Sequence, residues 1–207
     1  ERVAALIGSF ADVWQLAGGE LTAAANDAWE SLELDLGEDV VNLGSILEPD
    51  VEQLIAAEPD FVLASSNTDA DVALEEILTQ AGITVAYFDV ANFNDYLRML
   101  DICTDITGRK DLYEQNGAAV QRDIEQIKQR ADGSAPTVLF LRASSSSVRA
   151  KGSEGNVCGE MLADLGCVNI ADSSESLLDD LSMEAIIAAD PEYIFVTIQG
   201  NDSEAAM

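Results

Sequence analysis

Histidine is absent from this chain of 207 residues. Its absence removes the commonest protein metal ligand, the usual general base and the side chain that titrates near neutral pH. The composition therefore excludes Ser-His-Asp hydrolysis, a Cys-His nucleophile and a histidine-rich zinc or manganese site. We predict no catalytic residues, no cofactor and no metal bound directly by the protein.

Basic residues are scarce: 10 Lys and Arg stand against 39 Asp and Glu, which gives a formal net charge of -29. A surface of this charge repels phosphate backbones and anionic lipids, so nucleic acid is not a predicted partner. The excess of acidic residues is typical of a solvated surface that maintains solubility, and the alternative is a site for cations.

Cysteines and long apolar runs are also few. Cys103, Cys158 and Cys167 have neither the CxxC spacing of a metal knuckle nor the even count of a disulfide framework. We interpret them as mostly buried thiols. The alternative is a Cys158–Cys167 bridge, and the short helix predicted between the two residues argues against it.

No apolar run approaches the roughly 20 residues that span a bilayer. Because the chain opens on Glu1, we expect that an upstream segment has been removed.

Short β-rich runs alternate with helical patterns over residues 1–91, the predicted N-terminal α/β lobe. The predicted strands are residues 3–7, 21–25, 40–43, 61–64 and 84–88, and the predicted helices are residues 11–17, 50–57 and 71–81. This alternation predicts right-handed crossovers and a mainly parallel sheet covered on both faces.

Residues 92–133 form a predicted helical connector. Gly108 is expected to divide it into a shorter helix and a long bridging helix of about 20 residues, which would span about 30 Å. Beyond Pro136 the alternation resumes in a C-terminal α/β lobe, residues 134–207. Its predicted strands are residues 137–141, 168–170 and 193–198, its predicted helices are residues 157–165 and 183–189, and residues 142–152 are predicted to be a serine-rich loop.

One segment recurs in both lobes. Residues 50–65 read DVEQLIAAEPDFVLAS and residues 182–197 read SMEAIIAADPEYIFVT, with Glu, Ile-Ala-Ala and Pro at identical offsets. A spacing of 132 residues (182 against 50) suits two lobes of similar design, and the alternative is chance recurrence of helix-Pro-strand punctuation. With about three strands against five, the second lobe is expected to be incomplete and to expose a sheet edge.

Ligands of parallel α/β lobes gather at the carboxyl ends of the strands, where loops and helix N-termini present free N–H groups. Residues 142–152, RASSSSVRAKG, hold three of the ten basic residues and favour an anionic ligand, with a solvated serine loop as the alternative.

Aromatic side chains in the first lobe either offer flat apolar surface to a ligand or pack in the core. Of the two tryptophans, we assign Trp14 to the core and Trp29 to the site. The predicted ligand-binding residues are Ser9, Phe10, Trp29, Ser45, Ser65, Ser66, Asn67, Phe88, Arg142, Ser144, Arg149, Lys151, Gln199 and Asn201.

Several segments in order resemble the class III solute-binding proteins of ABC importers, which serve ferric siderophores, haem and cobalamin. The segments are VAALIGSFADVWQLAGG, EPDVEQLIAAEPDFVLASS, AGITVAYFD, DYLRMLDICTDITGRKDLYEQN, CGEMLADLGCVNIADS and SMEAIIAADPEYIFV. The resemblance covers essentially the whole chain and implies two α/β lobes with mainly parallel sheets bridged by a long α-helix, with a ligand held in the cleft. Relatives of this family have about sixty further residues that complete the second lobe, and some of them use histidine.

The resemblance also implies function and partners. The protein would capture a metal chelate, a ferric siderophore first and haem or a corrinoid next, and deliver it to ABC permease subunits. Glu52 and Glu184, which occupy matching positions in the repeated segment, resemble the acidic pair that docks on the permease. The implied location is extracytoplasmic, in a periplasm or on the cell surface as a lipoprotein, with membrane contact only through a removed lipid anchor or the permease.

Two other classes compete with a carrier. An enzyme of related two-lobed fold, such as a chelatase or nitrogenase-like protein, would need a base, grouped cluster-ligating cysteines or a phosphate loop, and the sequence contains no GxGxxG or GxxxxGK[ST]. A single flavodoxin-like domain does not account for the connector or the length. The carrier is therefore the favoured hypothesis, and the related enzyme is the alternative.

Overall fold

A computed structural model describes residues 1–144, 147–173 and 182–198. The chain divides into two compact units. The first comprises residues 1–90 and 94–120, and the second comprises residues 91–93 and 121–207. Each unit contains its own β-sheet.

The first unit is built on a five-stranded sheet in which every neighbouring pair of strands is parallel. Its spatial order is β3-β2-β1-β4-β5. The strands are β1 (Val3–Ala5), β2 (Leu21–Ala24), β3 (Val41–Asn42), β4 (Phe61–Ser65) and β5 (Thr84–Phe88). All five predicted strands are therefore present, and the predicted mainly parallel sheet is confirmed.

Five helices connect these strands: α1 (Gly8–Leu16), α2 (Asp27–Glu30), α3 (Val51–Ala56), α4 (Asp69–Ala73) and α5 (Glu75–Gln80). The predicted helix 71–81 is wrong in its bounds, because Leu74 separates α4 from α5. The short helix α2, which carries Trp29, was not predicted. Four residues supply too few apolar side chains for the helical period to be visible in the sequence.

Both faces of the first sheet are covered. On one face, Trp14 of α1 is 1% exposed and packs with Leu63 and with Leu100 from the connector. On the other face, Leu54 of α3 and Leu78 of α5 are fully buried against the alternate side chains of the strands. The prediction that Trp14 belongs to the core is confirmed, and its indole Nε1 donates to the carbonyl of Glu20 at 2.9 Å.

The connector is helical, as predicted. It consists of α6 (Phe93–Thr107), α7 (Lys110–Tyr113), a π-helical turn (Glu114–Ala118) and α8 (Ala119–Lys128). Gly108, with φ of 72°, separates α6 from α7, which confirms the predicted break. Within the first unit the connector caps the end of α1, since Thr107 Oγ1 donates to the carbonyl of Ala17 at 2.6 Å.

The second unit contains a four-stranded sheet around a central strand, β6 (Thr137–Ala143). Strand β7 (Val148–Lys151) pairs with β6 in antiparallel orientation, whereas β8 (Val168–Asn169) and β9 (Tyr193–Ile198) pair with it in parallel orientation. Leu139, Ala150 and Ile186 pack on one face, and Val138, Phe140 and Leu162 pack on the other. The helices of this unit are α9 (Val157–Asp164) and α10 (Met183–Ala189), with a 3₁₀ turn at Ile170–Ser173.

The prediction of a serine-rich loop over residues 142–152 is wrong. Strand β6 extends to Ala143 and β7 returns beside it, with Ala143 opposite Val148 and Arg142 opposite Arg149. The strand β7 has only four residues, and the preceding run of serines obscured the alternation of half-buried Val148, exposed Arg149 and buried Ala150 within it. The second unit consequently has four described strands, not the three that were predicted.

The repeated segment forms the same local structure twice. Asp50 accepts the amide of Gln53 at the start of α3, and Ser182 accepts the amide of Ala185 at the start of α10. Each helix is followed by a proline and then by a strand that pairs in parallel with the first strand of its own sheet. The repeated residues therefore accompany the same helix-Pro-strand structure in both units.

Cys103, Cys158 and Cys167 are free thiols, the first buried and the other two half-buried, so the alternative of a Cys158–Cys167 bridge is not observed. Among the described residues, no helix has the length and apolar character that crossing a membrane requires.

Candidate functional site

The carboxyl ends of the five parallel strands bring most of the predicted first-lobe residues to one edge of their sheet. Ser9 follows β1, Trp29 follows β2, Ser45 follows β3, the segment 65–67 closes β4, and Phe88 closes β5. Backbone amides and short polar side chains at such an edge are suited to polar groups of a ligand. Of these residues, Ser9, Ser45, Ser66 and Asn67 are exposed.

Hydrogen bonds tie neighbouring loops of this edge together. The amide of Gly8 donates to Asp27 Oδ1 at 2.9 Å, which joins the loops after β1 and β2. The amide of Ser66 donates to the carbonyl of Phe88 at 3.0 Å, which joins the loops after β4 and β5. These bonds hold neighbouring loops of the edge in defined positions relative to each other.

The three predicted aromatic residues differ in how much surface they offer. Phe10 is only 6% exposed and meets Phe88 edge to face, with ring centroids 6.2 Å apart. Phe10 therefore packs in the core, which was the alternative for the aromatic residues, and its contact with a ligand stays a prediction. Phe88 and Trp29 are half-buried and pack against the same core, so each keeps part of its ring accessible.

Ser65 also has a structural role within its loop. It is 7% exposed, and its hydroxyl accepts the amide of Asn67 at 3.1 Å. Ser65 therefore shapes the loop that presents Ser66 and Asn67, and its contact with a ligand stays a prediction.

Two acidic residues of this edge were not predicted. Asp27 bonds to Gly8, and the fully buried Asp71 accepts the amide of Ser65 at 2.7 Å. Both follow a strand by only a few residues. That position was the available signal, but in a chain with 39 acidic residues it did not distinguish them.

In the second unit, the β6–β7 hairpin brings three cations to one cavity of about 210 Å³. Residues directly opposite each other in an antiparallel pair point to the same face, and alternate residues of one strand do so too. This places Arg142 with Arg149, and Lys151 beside them. The lining residues are Arg142, Ser144, Ser147, Arg149 and Lys151, which include four of the predicted ligand-binding residues.

Like charges directly across a β-ladder are destabilising. Burial lowers the pKa of Lys151 below its usual value, and the positive charges of Arg142 and Arg149 lower it further. The two arginines thus disfavour the charged form of Lys151, and an anion at this position would relieve the repulsion among the three side chains. Hydroxyls of Ser144 and Ser147, which bond to each other across 3.3 Å, complete a polar lining.

The end of β7 is held by a residue that sequence reasoning missed. Asn169, 3% exposed, donates its side-chain amide to the carbonyl of Lys151 at 2.7 Å. Asp172 then accepts both the amide and the hydroxyl of Ser153, at 2.7 Å and 2.6 Å. These bonds fix the backbone of the hairpin at its cationic end.

The remaining predicted site residues are placed as follows. Glu52 lies in the first turn of α3 and Glu184 in the first turn of α10, and both are exposed. Gln199 and Asn201 lie outside the described residues. In the described part of the chain, no group of three or more Cys, Asp or Glu side chains is arranged to hold a metal ion.

A further cavity of about 680 Å³ lies at the opposite, amino-terminal edge of the first sheet. Arg2, which lines it, already donates to the carbonyls of Ala57 and Glu58 and thereby caps the end of α3. Since its cation is engaged in the fold and acidic residues line the same space, this cavity does not offer a site for an anion.

Comparison with solved structures finds similar folds over nearly the whole chain. Staphylococcus aureus IsdE, solved in complex with haem, is 16% identical with a TM-score of 0.78, covering 98% of this chain and 78% of that one. The vitamin B12 binding protein BtuF of Vibrio cholerae is 17% identical with a TM-score of 0.76, covering 95% of this chain and 76% of that one.

A third structure extends the ligands of these similar proteins to siderophores. Staphylococcus aureus SirA, solved with staphyloferrin B, is 19% identical with a TM-score of 0.75, covering 98% of this chain and 72% of that one. At these identities the likeness concerns the fold. Comparison with the curated proteins finds no match.

The sequence profile described as periplasmic binding protein matches residues 3–206, nearly the full length of the chain. The two α/β units, the helical connector and the similar solved structures agree with that match. The resemblance to solute-binding proteins of ABC importers is thereby confirmed, and the chain belongs to the periplasmic binding protein family.

Proposed function

We propose that this protein is the extracytoplasmic substrate-binding component of an ABC importer and that it captures an anionic metal chelate. A ferric siderophore is the first candidate, and haem or a corrinoid follows. The protein would bind the chelate unaltered and present it to permease subunits. Membership of the periplasmic binding protein family supports the general role, and the β6–β7 hairpin supports the anionic class of ligand.

The observation that carries the proposal is the cation cluster of Arg142, Arg149 and Lys151. It gathers three of the ten basic residues of a chain with a net charge of -29 around one small polar cavity. Guanidinium groups bind carboxylates and catecholates through paired, charge-assisted hydrogen bonds, and a lysine adds a compact charge. In so acidic a protein, a local positive field would also attract an anion that the rest of the surface repels.

The choice among chelates rests on three features: the cavity volume, the ligands of similar folds and the absence of histidine. A cavity of about 210 Å³ is too small to enclose a whole chelate, so the cluster would hold the anionic groups of a larger ligand. Similar folds bind staphyloferrin B in SirA, haem in IsdE and vitamin B12 in BtuF. The absence of histidine from the sequence disfavours axial ligation of haem iron by imidazole and places the siderophore first.

The acidic residues Glu52 and Glu184 support the second half of the proposal, delivery to a permease. Each is exposed in the first turn of a helix from the repeated segment. An exposed glutamate contributes little to folding stability, so its charge is available to pair with a basic pocket of a partner. We propose these two residues as the docking pair.

A related enzyme was the alternative from the sequence, and the comparisons give it no support. It would have to operate without histidine and, in the described residues, without a grouped set of metal-ligating side chains. The alternative predicts a chemically altered ligand after incubation, whereas a carrier returns the ligand with an unchanged mass and absorption spectrum.

Thermal-shift screening tests the proposal directly. The panel comprises the ferric forms of a carboxylate and a catecholate siderophore, haemin and cobalamin, each with its iron-free or unrelated counterpart as control. A ligand present at 100 times its Kd stabilises the folded protein by about 2.7 kcal/mol and raises the melting temperature. We expect the ferric siderophores to give the largest shift; no shift with any chelate would refute chelate binding.

A further inference from the structure

Asp71 is the one described residue with a buried side-chain oxygen that lacks a hydrogen-bond partner. The residue is 0% exposed and lies in the first turn of α4, six residues after Ser65. Its Oδ2 accepts the amide of Ser65 at 2.7 Å, while Oδ1 is the oxygen without a partner. A buried carboxylate oxygen left in this state is costly, so its retention calls for a role.

The bond to Ser65 places Asp71 behind the loop of residues 65–67 at the carboxyl end of β4. The Ser65 hydroxyl accepts the amide of Asn67, and the amide of Ser66 donates to the carbonyl of Phe88. Both of these bonds depend on the position of Ser65, and the bond from the Ser65 amide to Asp71 fixes that position. A charge-assisted bond of this kind is about twice as strong as a neutral one.

The ionisable groups around Asp71 come from three elements. Asp27 of α2 lies near enough for its negative charge to act on Asp71, and Tyr87 of β5 donates its hydroxyl to the backbone carbonyl of Asp71 at 3.2 Å. The negative charge of Glu75 of α5 acts on Tyr87. None of these groups supplies a positive charge that would hold the Asp71 carboxylate ionised.

The pKa of Asp71 is raised to about 6, because burial raises it by more than the bond from the Ser65 amide lowers it, and the charge of Asp27 adds a smaller increase. The carboxyl group therefore changes charge in mildly acidic solution. Protonation would neutralise the acceptor of the Ser65 amide and remove the repulsion between Asp71 and Asp27.

We propose that Asp71 is a positioning residue whose ionised carboxylate sets the conformation of the loop of residues 65–67, so that the loop relaxes when Asp71 is protonated. The inference rests on the proposed function only in treating this loop as part of the ligand-binding edge. It adds to that function a pH-dependent conformation of the loop of residues 65–67, in a chain that contains no histidine.

Amide NMR of the ligand-free protein between pH 4.5 and 8 tests this inference. We expect the amide resonances of Ser65, Ser66 and Asn67 to move together with a midpoint near pH 6. In Asp71→Asn this transition should be lost, whereas Asp69→Asn, an exposed residue of the same helix, should retain it. A role confined to folding stability would produce no such shared midpoint.

A second variant keeps the test decisive if Asp71→Asn folds poorly. Asp27→Asn removes the neighbouring negative charge and should lower the midpoint of the same three amides. Amides that do not titrate in the wild-type protein, or that titrate unchanged in Asp71→Asn, would overturn the inference. Because no ligand is present, neither result bears on whether the protein binds a chelate.

Discussion

Glu58 and Asp190 adopt the same left-handed backbone conformation, with φ of 45° and 44°. They occupy equivalent positions of the repeated segment, 132 residues apart, and each immediately precedes a proline. A following proline disfavours the right-handed helical region, and a left-handed residue commonly ends a helix. The two segments therefore share a strained helix end as well as a sequence, which supports two units of similar design.

Relief of this strain gives a first prediction. Replacing Glu58 by glycine should raise the free energy of unfolding by up to about 1 kcal/mol, because glycine adopts positive φ without a steric cost. The measurement is chemical denaturation monitored by circular dichroism. As a control, Gln121→Gly in the exposed part of α8 should lower the free energy of unfolding by about 0.5 kcal/mol. A loss of stability in Glu58→Gly would show that the conformation is not strained.

Much of the fold could be predicted because apolar runs and helix ends are local signals. The strand of residues 193–198 and the helix of residues 183–189 have the predicted bounds, and Gly108 ends a helix as predicted. Strand β7 could not be predicted because its stability comes from pairing with β6, a contact that the serine run conceals. The π-helical turn at Glu114–Ala118 likewise has no distinctive sequence signal.

The candidate site was less predictable than the fold. Position after a strand indicated Ser66 and Asn67, and the scarcity of basic residues indicated Arg142 and Arg149. Whether Phe10 and Ser65 face solvent depends on tertiary packing, and both lie in the core or below the surface. The same dependence on packing hid Asp71, since one buried carboxylate among 39 acidic residues has no sequence pattern of its own.

Close packing at Gly19 gives a second prediction. A Cβ atom at this position would lie 2.1 Å from Trp14 Cε2, whereas a Cβ at Gly37 meets only Val40 at 3.9 Å. Gly19→Ala should therefore destabilise the protein by about 1–3 kcal/mol, because the buried indole must move. Gly37→Ala should be nearly neutral. Equal unfolding midpoints for the two variants would contradict the described packing of Trp14.

The pH dependence of stability provides a third prediction. The folded-state pKa of Asp71, about 6, exceeds the value of 3.8 for an unperturbed aspartate, so the folded protein binds more protons between these values. The stabilisation from Asp71 is thus complete below pH 3.8 and is lost as the pH rises through about 6. The free energy of unfolding falls by about 3 kcal/mol over this range because of Asp71.

The corresponding measurement compares urea denaturation at pH 4 and pH 7.5. Asp71→Asn should lose most of this contribution to the difference between the two unfolding free energies, while Asp69→Asn should keep it. Other carboxylates contribute equally to all three proteins and cancel in the comparison. An unchanged difference in Asp71→Asn would show that Asp71 does not titrate in this range.

A fourth prediction concerns the proposed docking pair. Charge reversal by Glu52→Lys together with Glu184→Lys should abolish chelate uptake in cells that carry the cognate permease, because two ion pairs become repulsive. Chelate affinity of the purified variant should remain that of the wild type. Reversal at Glu76 and Glu160 changes the net charge equally and should leave uptake intact. Persisting uptake in the first variant would remove Glu52 and Glu184 from the docking surface.

Titration of the protein with the ferric form of a carboxylate siderophore tests the central claim most directly. In the Arg142→Ala/Arg149→Ala variant, the loss of two sets of charge-assisted bonds should weaken binding by at least about 100-fold. Arg98→Ala/Arg122→Ala removes the same charge elsewhere and should bind like the wild type. Equal affinity in all three proteins would contradict the assignment of the β6–β7 hairpin as the site for an anionic chelate.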